Sequence, residues 1–386
     1  MAAAQMKPIV IIGTGLAGYT VAREFRKLDQ ETQLVMLSAD DAGYYSKPML
    51  SNALAQGKTP DALLLSSAEQ MASQLRADIH AYAAVSSIDP ETQRIRFNGA
   101  EVEYQHLVLA LGADPFRLPL QGDAAESVLS VNDRADYARF RSAIEGKDRI
   151  VILGGGLIGC EFANDLAASG YQVSVIDIGT HPLGRLVPEE IGMVMRDTLA
   201  TIGIDWYLGL SVAQVDHATD GIRVTLSNGI TLEADAVLSA IGLRPRIALA
   251  TAAGLTVNRG IVTDQYLTTS SARISALGDC AEVSGLVLPF VMPLMQAARS
   301  LAKTLSGNPT PVHYPAMPVV VKTPACPLVI SPPAANAEGT WHIETSGAGT
   351  QALFSGVDGA LLGYALTGTA TAHKQRLTKD LPVVLA

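Results

Sequence analysis

The chain has 386 residues, 48% hydrophobic and 17% charged, which is long enough for two or three domains with a substantial core. Its formal net charge of −9 gives no global positive field for holding a phosphate backbone, which argues against nucleic acid as a partner. No stretch approaches the roughly 20 apolar residues of a bilayer crossing, and the apolar run at Ile9–Ile12 is too short for a signal-peptide core, so we expect a cytoplasmic protein.

Two stretches resemble each other, and each runs from a β-branched strand into a glycine-rich turn. Residues 8–18 read PIVIIGTGLAG and residues 150–159 read IVILGGGLIG. Helical patterns follow both turns, at residues 16–28 and 157–169. The repetition predicts two similar nucleotide-binding units in tandem.

Each unit ends with a small-apolar-Gly-x-x-Pro phrase, at residues 110–115 and 240–245. Hairpin-like strands precede these phrases, at residues 79–102 and 173–237, and Asn228-Gly229 is a strong two-residue turn signal. We therefore expect a β-meander in each unit after its first βαβ.

From about residue 316 the pattern indicates short strands followed by a polar helix near residues 370–379. The predicted strands of this tail are Val319–Val321, Leu328–Ile330, His342–Thr345 and Leu361–Leu366. The predicted fold class is α/β, with two tandem Rossmann-like dinucleotide-binding domains and a small C-terminal α+β domain. The predicted bounds are 1–115 and 246–315 for two segments of the first nucleotide-binding domain, 116–245 for the second nucleotide-binding domain and 316–386 for the C-terminal domain.

The first glycine fingerprint, Gly13-x-Gly15-x-x-Gly18, directly follows a strand and opens a helix. Its first glycine allows a tight turn, its second lets the backbone approach a pyrophosphate, and its third lets helix pack on strand. The acidic ribose partner expected after the second strand is missing. Either the backbone of Ser38 and Ala39 or the carboxylate of Asp40 takes that role.

The second unit has the acidic partner. Asp177 follows Gly154 by 23 residues, and a carboxylate there accepts the ribose 2′-hydroxyl and repels a 2′-phosphate. NADH is therefore expected rather than NADPH. The residues predicted to bind NAD are Gly154, Gly156, Leu157, Ile158, Gly159, Asp177 and Gly242.

Gly278-Asp279 ends a further strand, and with this phrase the chain resembles the FAD-dependent pyridine nucleotide oxidoreductases. The match also includes both glycine fingerprints and both closing phrases. It implies that Asp279 hydrogen-bonds the flavin ribityl chain, and that the helix start near Pro293 points at the flavin pyrimidine edge. A helix N-terminus there would stabilise the anion of reduced flavin.

Residues 45–51, YSKPMLS, resemble the Lys-Pro loop of the ferredoxin and rubredoxin reductases of this family. The resemblance implies that Lys47 lies beside flavin N5 and pairs with Glu161 of the second fingerprint, and that both are catalytic. Taken without the resemblance, Lys47 would be interpreted as a solvated surface charge.

The cysteines exclude dithiol chemistry. Cys160, Cys280 and Cys326 are widely spaced, and the first segment has none where disulfide reductases of this fold carry a pair. No spacing of histidine or cysteine suggests a metal site. Electrons are therefore expected to leave the flavin directly for a one-electron acceptor.

The tail at residues 318–333, together with the Lys-Pro loop, resembles the rubredoxin reductases of bacterial alkane-oxidising systems. The resemblance implies that rubredoxin is the acceptor, that Lys322 and Val291 contact the flavin, and that Val85 packs near its adenine. Hydride would pass from NADH to flavin N5, and the electrons would leave singly. The full predicted FAD set is Ile12, Gly13, Thr14, Gly15, Ala17, Gly18, Ser38, Ala39, Lys47, Pro48, Val85, Ala110, Gly112, Glu161, Gly278, Asp279, Val291 and Lys322.

Two alternatives stay open at this stage. The acceptor could be a ferredoxin or a flavorubredoxin, since the motifs differ little, or the chain could be a non-catalytic flavoprotein whose NAD-bound state controls partner binding. Rubredoxins are themselves acidic, so association with a chain of net charge −9 requires a local basic patch, for which Lys47 and Lys322 are candidates. We expect a monomer.

Overall fold

Short apolar runs form two parallel sheets, and a three-stranded meander is inserted in the chain between strands of each sheet. The computed structural model describes residues 7–386, so the first six residues of the predicted FAD-binding segment lie outside it. In residues 7–115 the strands are β1 Ile9–Ile12, β2 Leu34–Leu37, β3 Tyr44–Tyr45, β4 Leu64–Ser66, β5 Asp78–His80, β6 Val85–Asp89, β7 Arg94–Phe97, β8 Ala100–Glu103, β9 His106–Leu109 and β10 Ala113–Pro115. The helices are α1 Leu16–Leu28 and α2 Ala68–Leu75, with a 3₁₀ helix at Lys47–Asn52.

The next part of the chain, to residue 245, adds three helices and eight strands. The helices are α3 Arg134–Ile144, α4 Leu157–Ala168 and α5 Glu189–Ala200. The strands are β11 Arg149–Leu153, β12 Gln172–Asp177, β13 Ile204–Leu208, β14 Val212–Ala218, β15 Gly221–Leu226, β16 Thr231–Ala234, β17 Ala236–Ser239 and β18 Leu243–Pro245.

The remainder has eight strands and three helices. The strands are β19 Ile261–Thr263, β20 Ile274–Ala276, β21 Ala281–Val283, β22 Val319–Val321, β23 Leu328–Ser331, β24 Gly339–Ser346, β25 Gly349–Gly356 and β26 Leu361–Thr367. The helices are α6 Ala248–Ala252, α7 Val291–Leu305 and α8 Lys374–Asp380, with 3₁₀ helices at Gly278–Cys280 and Gly368–His373.

The first parallel sheet has the order β20-β9-β1-β2-β5. All four residues of β1 and of β2 are buried, as expected for a parallel sheet covered on both faces. Strand β20 comes from far downstream, so residues before 110 and after 273 share one sheet. The carboxyl ends of β1, β2, β9 and β20 consequently meet at one edge.

The second parallel sheet has the order β13-β12-β11-β17. The sequence predicted hairpin-like strands throughout residues 173–237, and this was wrong for α5, which lies between β12 and β13. Ile191, Met195 and Leu199 of α5 are fully buried at spacing i, i+4, i+8, which is the apolar stripe of a packed helix. The meander itself is shorter, β14-β15-β16.

The two closing phrases pair with each other. Strands β10 and β18 form an antiparallel ribbon in which Ala113 lies opposite Pro245. Arg246 adds an ion pair to Asp114, with 2.6 Å between guanidinium nitrogen and carboxylate oxygen. The ribbon therefore joins the two nucleotide-binding units at the residues that follow Gly112 and Gly242.

The tail forms one antiparallel sheet in the order β22-β23-β26-β25-β24. Strand β25 was not predicted, although it pairs with both β24 and β26. The predicted helix near 370–379 is a 3₁₀ turn followed by α8. The predicted α/β fold class is confirmed, whereas the exact domain bounds stay predictions. Within residues 7–386, no helix has the length and apolarity needed to cross a membrane.

Candidate dinucleotide and flavin site

The first glycine turn leaves open space where a pyrophosphate would approach. At Gly13, with φ of +108°, an added Cβ would lie 2.2 Å from the Ala110 carbonyl oxygen. At Gly18 the same addition would lie 1.9 Å from the carbonyl oxygen of Gly13. At Gly15 nothing lies within 4 Å of an added Cβ. Outer glycines packed against backbone, with an open middle glycine at a helix start, fit a bound dinucleotide phosphate.

The other predicted residues of this first site lie at the same sheet edge. The hydroxyl of Thr14 donates to Ser38 Oγ at 2.6 Å, and Ser38 in turn donates to the Asp40 carboxylate. Ser38 is buried, whereas Ala39 and Asp40 are exposed just beyond it. Of the candidate ribose contacts, Ala39 and Asp40 are therefore exposed at this edge, whereas Ser38 is buried.

The second glycine turn repeats this geometry. Gly154 has φ of +104°, and an added Cβ at Gly159 would lie 1.8 Å from the Gly154 carbonyl oxygen. Gly156, the N-cap of α4, again has nothing within 4 Å. Leu157 and Ile158 form the first turn of that helix, and Gly242 follows β17 at the same edge. These residues fit a second dinucleotide.

Asp177 ends β12 beside this turn. One carboxylate oxygen accepts the backbone N–H of Gly155 and the other accepts that of Gly179, at 2.6 Å for Gly179. The two bonds hold the charged group at the carboxyl edge of the sheet, where a ribose hydroxyl would lie.

Lys47 begins its 3₁₀ helix near Asp279, at 3.9 Å between Nζ and a carboxylate oxygen. Burial lowers the pKa of Lys47, and the carboxylate of Asp279 opposes that shift. The structure therefore brings together the Lys-Pro loop and the Gly-Asp turn, which lie more than 200 residues apart in the sequence.

Glu161 is fully buried on α4 and has different partners from those expected. Its carboxylate accepts the backbone N–H of Lys322 at 3.0 Å, forms an ion pair with the Lys322 ammonium, and accepts the hydroxyl of Ser51 at 2.5 Å. The predicted direct pair of Lys47 and Glu161 is wrong in this structure, because Lys322 reaches the carboxylate from the C-terminal sheet and Lys47 turns towards Asp279.

The remaining predicted flavin contacts are distributed over several elements. Val291 is 40% exposed at the start of α7, and Pro293 is the third residue of that helix rather than the first. Pro48 follows Lys47 in the 3₁₀ helix, and Val85 is half-buried at the start of β6. Gly112 precedes β10 with φ of +72°, and Ala17 is buried in the first turn of α1.

Three polar residues at this junction were missed. Ser51 binds Glu161, while Asn164 and Asp165 lie on the same face of α4 and contact neighbouring segments. The spacing 161, 164, 165 in an otherwise apolar helix places three polar side chains on one face, and that signal could have identified Asn164 and Asp165.

The thiols have no role in this geometry. All three cysteines are free and buried. Burial raises the pKa of Cys280 to about 11 and also raises the pKa values of Cys160 and Cys326, so none is a ready thiolate. No cluster of three or more potential metal ligands occurs among residues 7–386.

Two parallel sheets that each end at an open glycine turn, with an antiparallel ribbon joining the two units, fit an oxidoreductase with two dinucleotide sites. Residues 7–302 match the sequence model of the pyridine nucleotide-disulphide oxidoreductases. The chain belongs to this family. Residues 311–381 match a second model, described as the rubredoxin binding C-terminal domain.

Relatives of known name resemble the chain over nearly its whole length. The rubredoxin-NAD(+) reductase of Alcanivorax borkumensis is 52% identical over 385 residues, which cover 98% of this chain and 100% of that protein. The protein of the same name from Acinetobacter baylyi is 51% identical over 381 residues, covering 97% of each. The crystal structure of the ferredoxin reductase for the CYP199A2 system from Rhodopseudomonas palustris superposes with a TM-score of 0.87 at 28% identity, covering 98% of this chain and 96% of that one.

The position of Asp177 predicts a strong preference for NADH. A 2′-phosphate beside this carboxylate brings like charges together at a cost of about 3 kcal/mol, so we expect kcat/KM for NADPH to be about 100-fold below that for NADH. Asp177→Ala should bring the kcat/KM values for the two coenzymes closer together, chiefly by raising kcat/KM for NADPH. Steady-state kinetics with both coenzymes measure it, and equal kcat/KM values in the unmodified protein would contradict the assignment.

Proposed function

We propose that this chain is an FAD-dependent NADH:rubredoxin oxidoreductase. The observation that carries the proposal is the pair of open glycine turns at Gly15 and Gly156, combined with a C-terminal sheet that matches the rubredoxin-binding family model. The named relatives at 52% and 51% identity support the same acceptor.

In this proposal each unit binds one dinucleotide. The turns at Gly13–Gly18 and Gly154–Gly159 present helix N-termini to the two pyrophosphates, and Asp177 selects the ribose of NADH. FAD, when bound, supplies a hydride acceptor that can release electrons one at a time.

The charged residues of the junction hold and tune this site. We assign Lys47, Asp279 and Lys322 to the flavin side, with Lys322 oriented by Glu161. The ammonium groups of Lys47 and Lys322 would lie beside the flavin, where a positive charge favours a negatively charged reduced state. The buried cysteines take no part, so electrons leave without a protein disulfide.

A basic surface for the acceptor is available on α8. Residues 316–386 contain four Lys or Arg and four Asp or Glu, so this part is formally neutral and the net charge of −9 arises from the rest of the chain. Three of those four basic residues, Lys374, Arg376 and Lys379, lie on α8, and none forms an ion pair with an acidic residue of the described chain. Arg376 and Lys379 are exposed. We place the docking of an acidic carrier on this helix.

Charge reversal on α8 tests that placement. Arg376→Glu combined with Lys379→Glu should raise KM for rubredoxin about tenfold at low salt and weaken its ionic-strength dependence, because charged surface residues chiefly steer encounter. Reduction of the flavin by NADH alone should not change. Arg223→Glu, which reverses an exposed charge on the meander strand β15, serves as a control for charge reversal elsewhere on the surface. An equal effect of the control would remove α8 from the docking surface.

The function itself is tested with the purified, FAD-loaded protein. NADH should bleach the flavin absorption, and cytochrome c should then be reduced only when rubredoxin is added as carrier. Bleaching followed by turnover with a ferredoxin or a flavorubredoxin but not with rubredoxin would reassign the acceptor. No bleaching would favour the alternative of a non-catalytic NAD-responsive flavoprotein.

Three finer points belong to the same proposal. We infer a monomer that works in the cytosol, where its three free cysteines stay reduced. We also infer, from the resemblance to alkane-oxidising systems, that the reduced rubredoxin supplies an alkane hydroxylase.

A further inference from the structure

Helix α4 carries three buried polar side chains on one face. Glu161, Asn164 and Asp165 are 0%, 4% and 3% exposed, and they follow the spacing i, i+3, i+4. Burial of such groups is costly unless they are hydrogen-bonded. All three accept bonds from segments outside α4, so the helix is a junction as well as the start of the second dinucleotide site.

Asp165 holds the segment that carries Lys47. Its two carboxylate oxygens accept the backbone N–H groups of Leu54 and Ala55, at 2.9 and 3.0 Å. These amides come just after the 3₁₀ helix Lys47–Asn52, so Asp165 fixes the far end of the helix whose first residue is Lys47.

Asn164 makes the equivalent contact to the segment of Lys322. Its side-chain oxygen accepts the backbone N–H of Ala325 at 3.1 Å, three residues beyond Lys322. The segments of both lysines are thus anchored by adjacent residues of one helix, whose N-cap is Gly156 at the predicted pyrophosphate position.

We propose that Asp165 is a positioning residue for the flavin site: through the Leu54 and Ala55 amides it holds Lys47 in register with the dinucleotide bound at the start of α4. The inference rests on the proposed function for the identity of the two dinucleotides. Asp165 is buried and its carboxylate binds the Leu54 and Ala55 amides, so its effect on the flavin site passes through the Lys47 segment. Asn164 acts in parallel on the Lys322 segment.

The test uses Asp165→Ala in the full-length, FAD-loaded protein. We expect the limiting rate of flavin reduction by NADH to fall about 10- to 100-fold, as for a displacement of about 1 Å at a reacting site, with the Kd for NADH unchanged. The flavin potential should shift, and hydrogen exchange should rise in peptides covering residues 46–56. Asp165→Asn keeps one acceptor oxygen, so its rate of flavin reduction should lie between the rates of the unmodified protein and of Asp165→Ala.

Asp235→Ala is the matched control. The Asp235 carboxylate also accepts two consecutive backbone amides, those of Asp148 and Arg149 at 3.1 and 2.9 Å, but at the opposite edge of the second sheet. It should leave the flavin potential and the exchange of residues 46–56 unchanged.

Wild-type rate, potential and exchange in Asp165→Ala would overturn the proposal, as would equal effects in Asp235→Ala. If Asp165→Ala does not retain FAD, Asp165→Asn decides by the same measurements. The reduction step needs no acceptor protein, and the potential and exchange need no NADH, so failure of this inference is distinguishable from failure of the proposed function.

Discussion

Gly156→Val is expected to raise KM for NADH about 100-fold while the protein keeps its FAD, and Gly15→Val is expected to give a protein that retains no FAD. Both glycines are helix N-caps with extended backbone, at φ of −68° for Gly15 and −74° for Gly156, which valine adopts without strain. Neither has an atom within 4 Å of an added Cβ. The Cβ of each valine therefore meets no protein atom, and the side chain extends into the space that a pyrophosphate needs.

The two variants serve as controls for each other. Flavin absorption after gel filtration measures FAD retention, and steady-state kinetics measure KM for NADH. The loss of about 3 kcal/mol of binding free energy corresponds to the expected factor of about 100. Loss of FAD in both variants would indicate general misfolding, and a wild-type KM in Gly156→Val would show that the second turn does not bind NADH.

The sequence predicted the parts of the fold that depend on local patterns. The helix predicted at residues 16–28 is α1 at Leu16–Leu28, and both glycine turns stand at the carboxyl ends of parallel strands. These features follow from short apolar runs, glycine spacing and helix periodicity, all of which lie within about 20 residues.

The missed features depend on contacts between distant segments or on a pattern that was interpreted wrongly. The pairing of β10 with β18 joins residues about 130 positions apart, and nothing local indicates it. The sequence of α5 does have an apolar period of 3.6. The hairpin signal at Asn228-Gly229 nevertheless led to the prediction of strands over all of residues 173–237. Strand β25 has small and polar residues next to a glycine, which gives a weak strand signal.

For the charged residues of the site, the location was predicted from the sequence and one pairing was predicted wrongly. Each of Lys47, Glu161, Asp279 and Lys322 was predicted to lie near the flavin, and the structure places them in two contacting pairs. Which lysine meets which carboxylate depends on how the C-terminal sheet docks on α4. That docking is set by buried tertiary contacts, including Asn164 to Ala325, so the family resemblance alone led to the wrong partner for Glu161.

The pairing of Glu161 with Lys322 predicts a specific pattern of double-mutant effects. Glu161→Gln leaves the Lys322 ammonium without its carboxylate and should lower the free energy of unfolding by about 3 kcal/mol. This is the low end for a broken buried pair, because the Lys322 side chain is 28% exposed whereas that of Glu161 is 1% exposed. Adding Lys322→Met should restore at least about 1 kcal/mol, since it removes the uncompensated charge.

The matched cycle uses Lys47→Met with Glu161→Gln. Since Lys47 contacts Asp279 instead, these two changes should add within about 0.5 kcal/mol. Denaturant unfolding of the FAD-loaded proteins gives all the free energies, and stopped-flow reduction by NADH should show the same pattern in ΔΔG‡, with strong coupling only for Lys322 and Glu161. Strong coupling in the Lys47 cycle and none in the Lys322 cycle would restore the pair implied by the family resemblance. It would also mean that the Lys322 ammonium does not compensate the charge of Glu161, because a buried carboxylate is stabilised mainly by the nearest ammonium group.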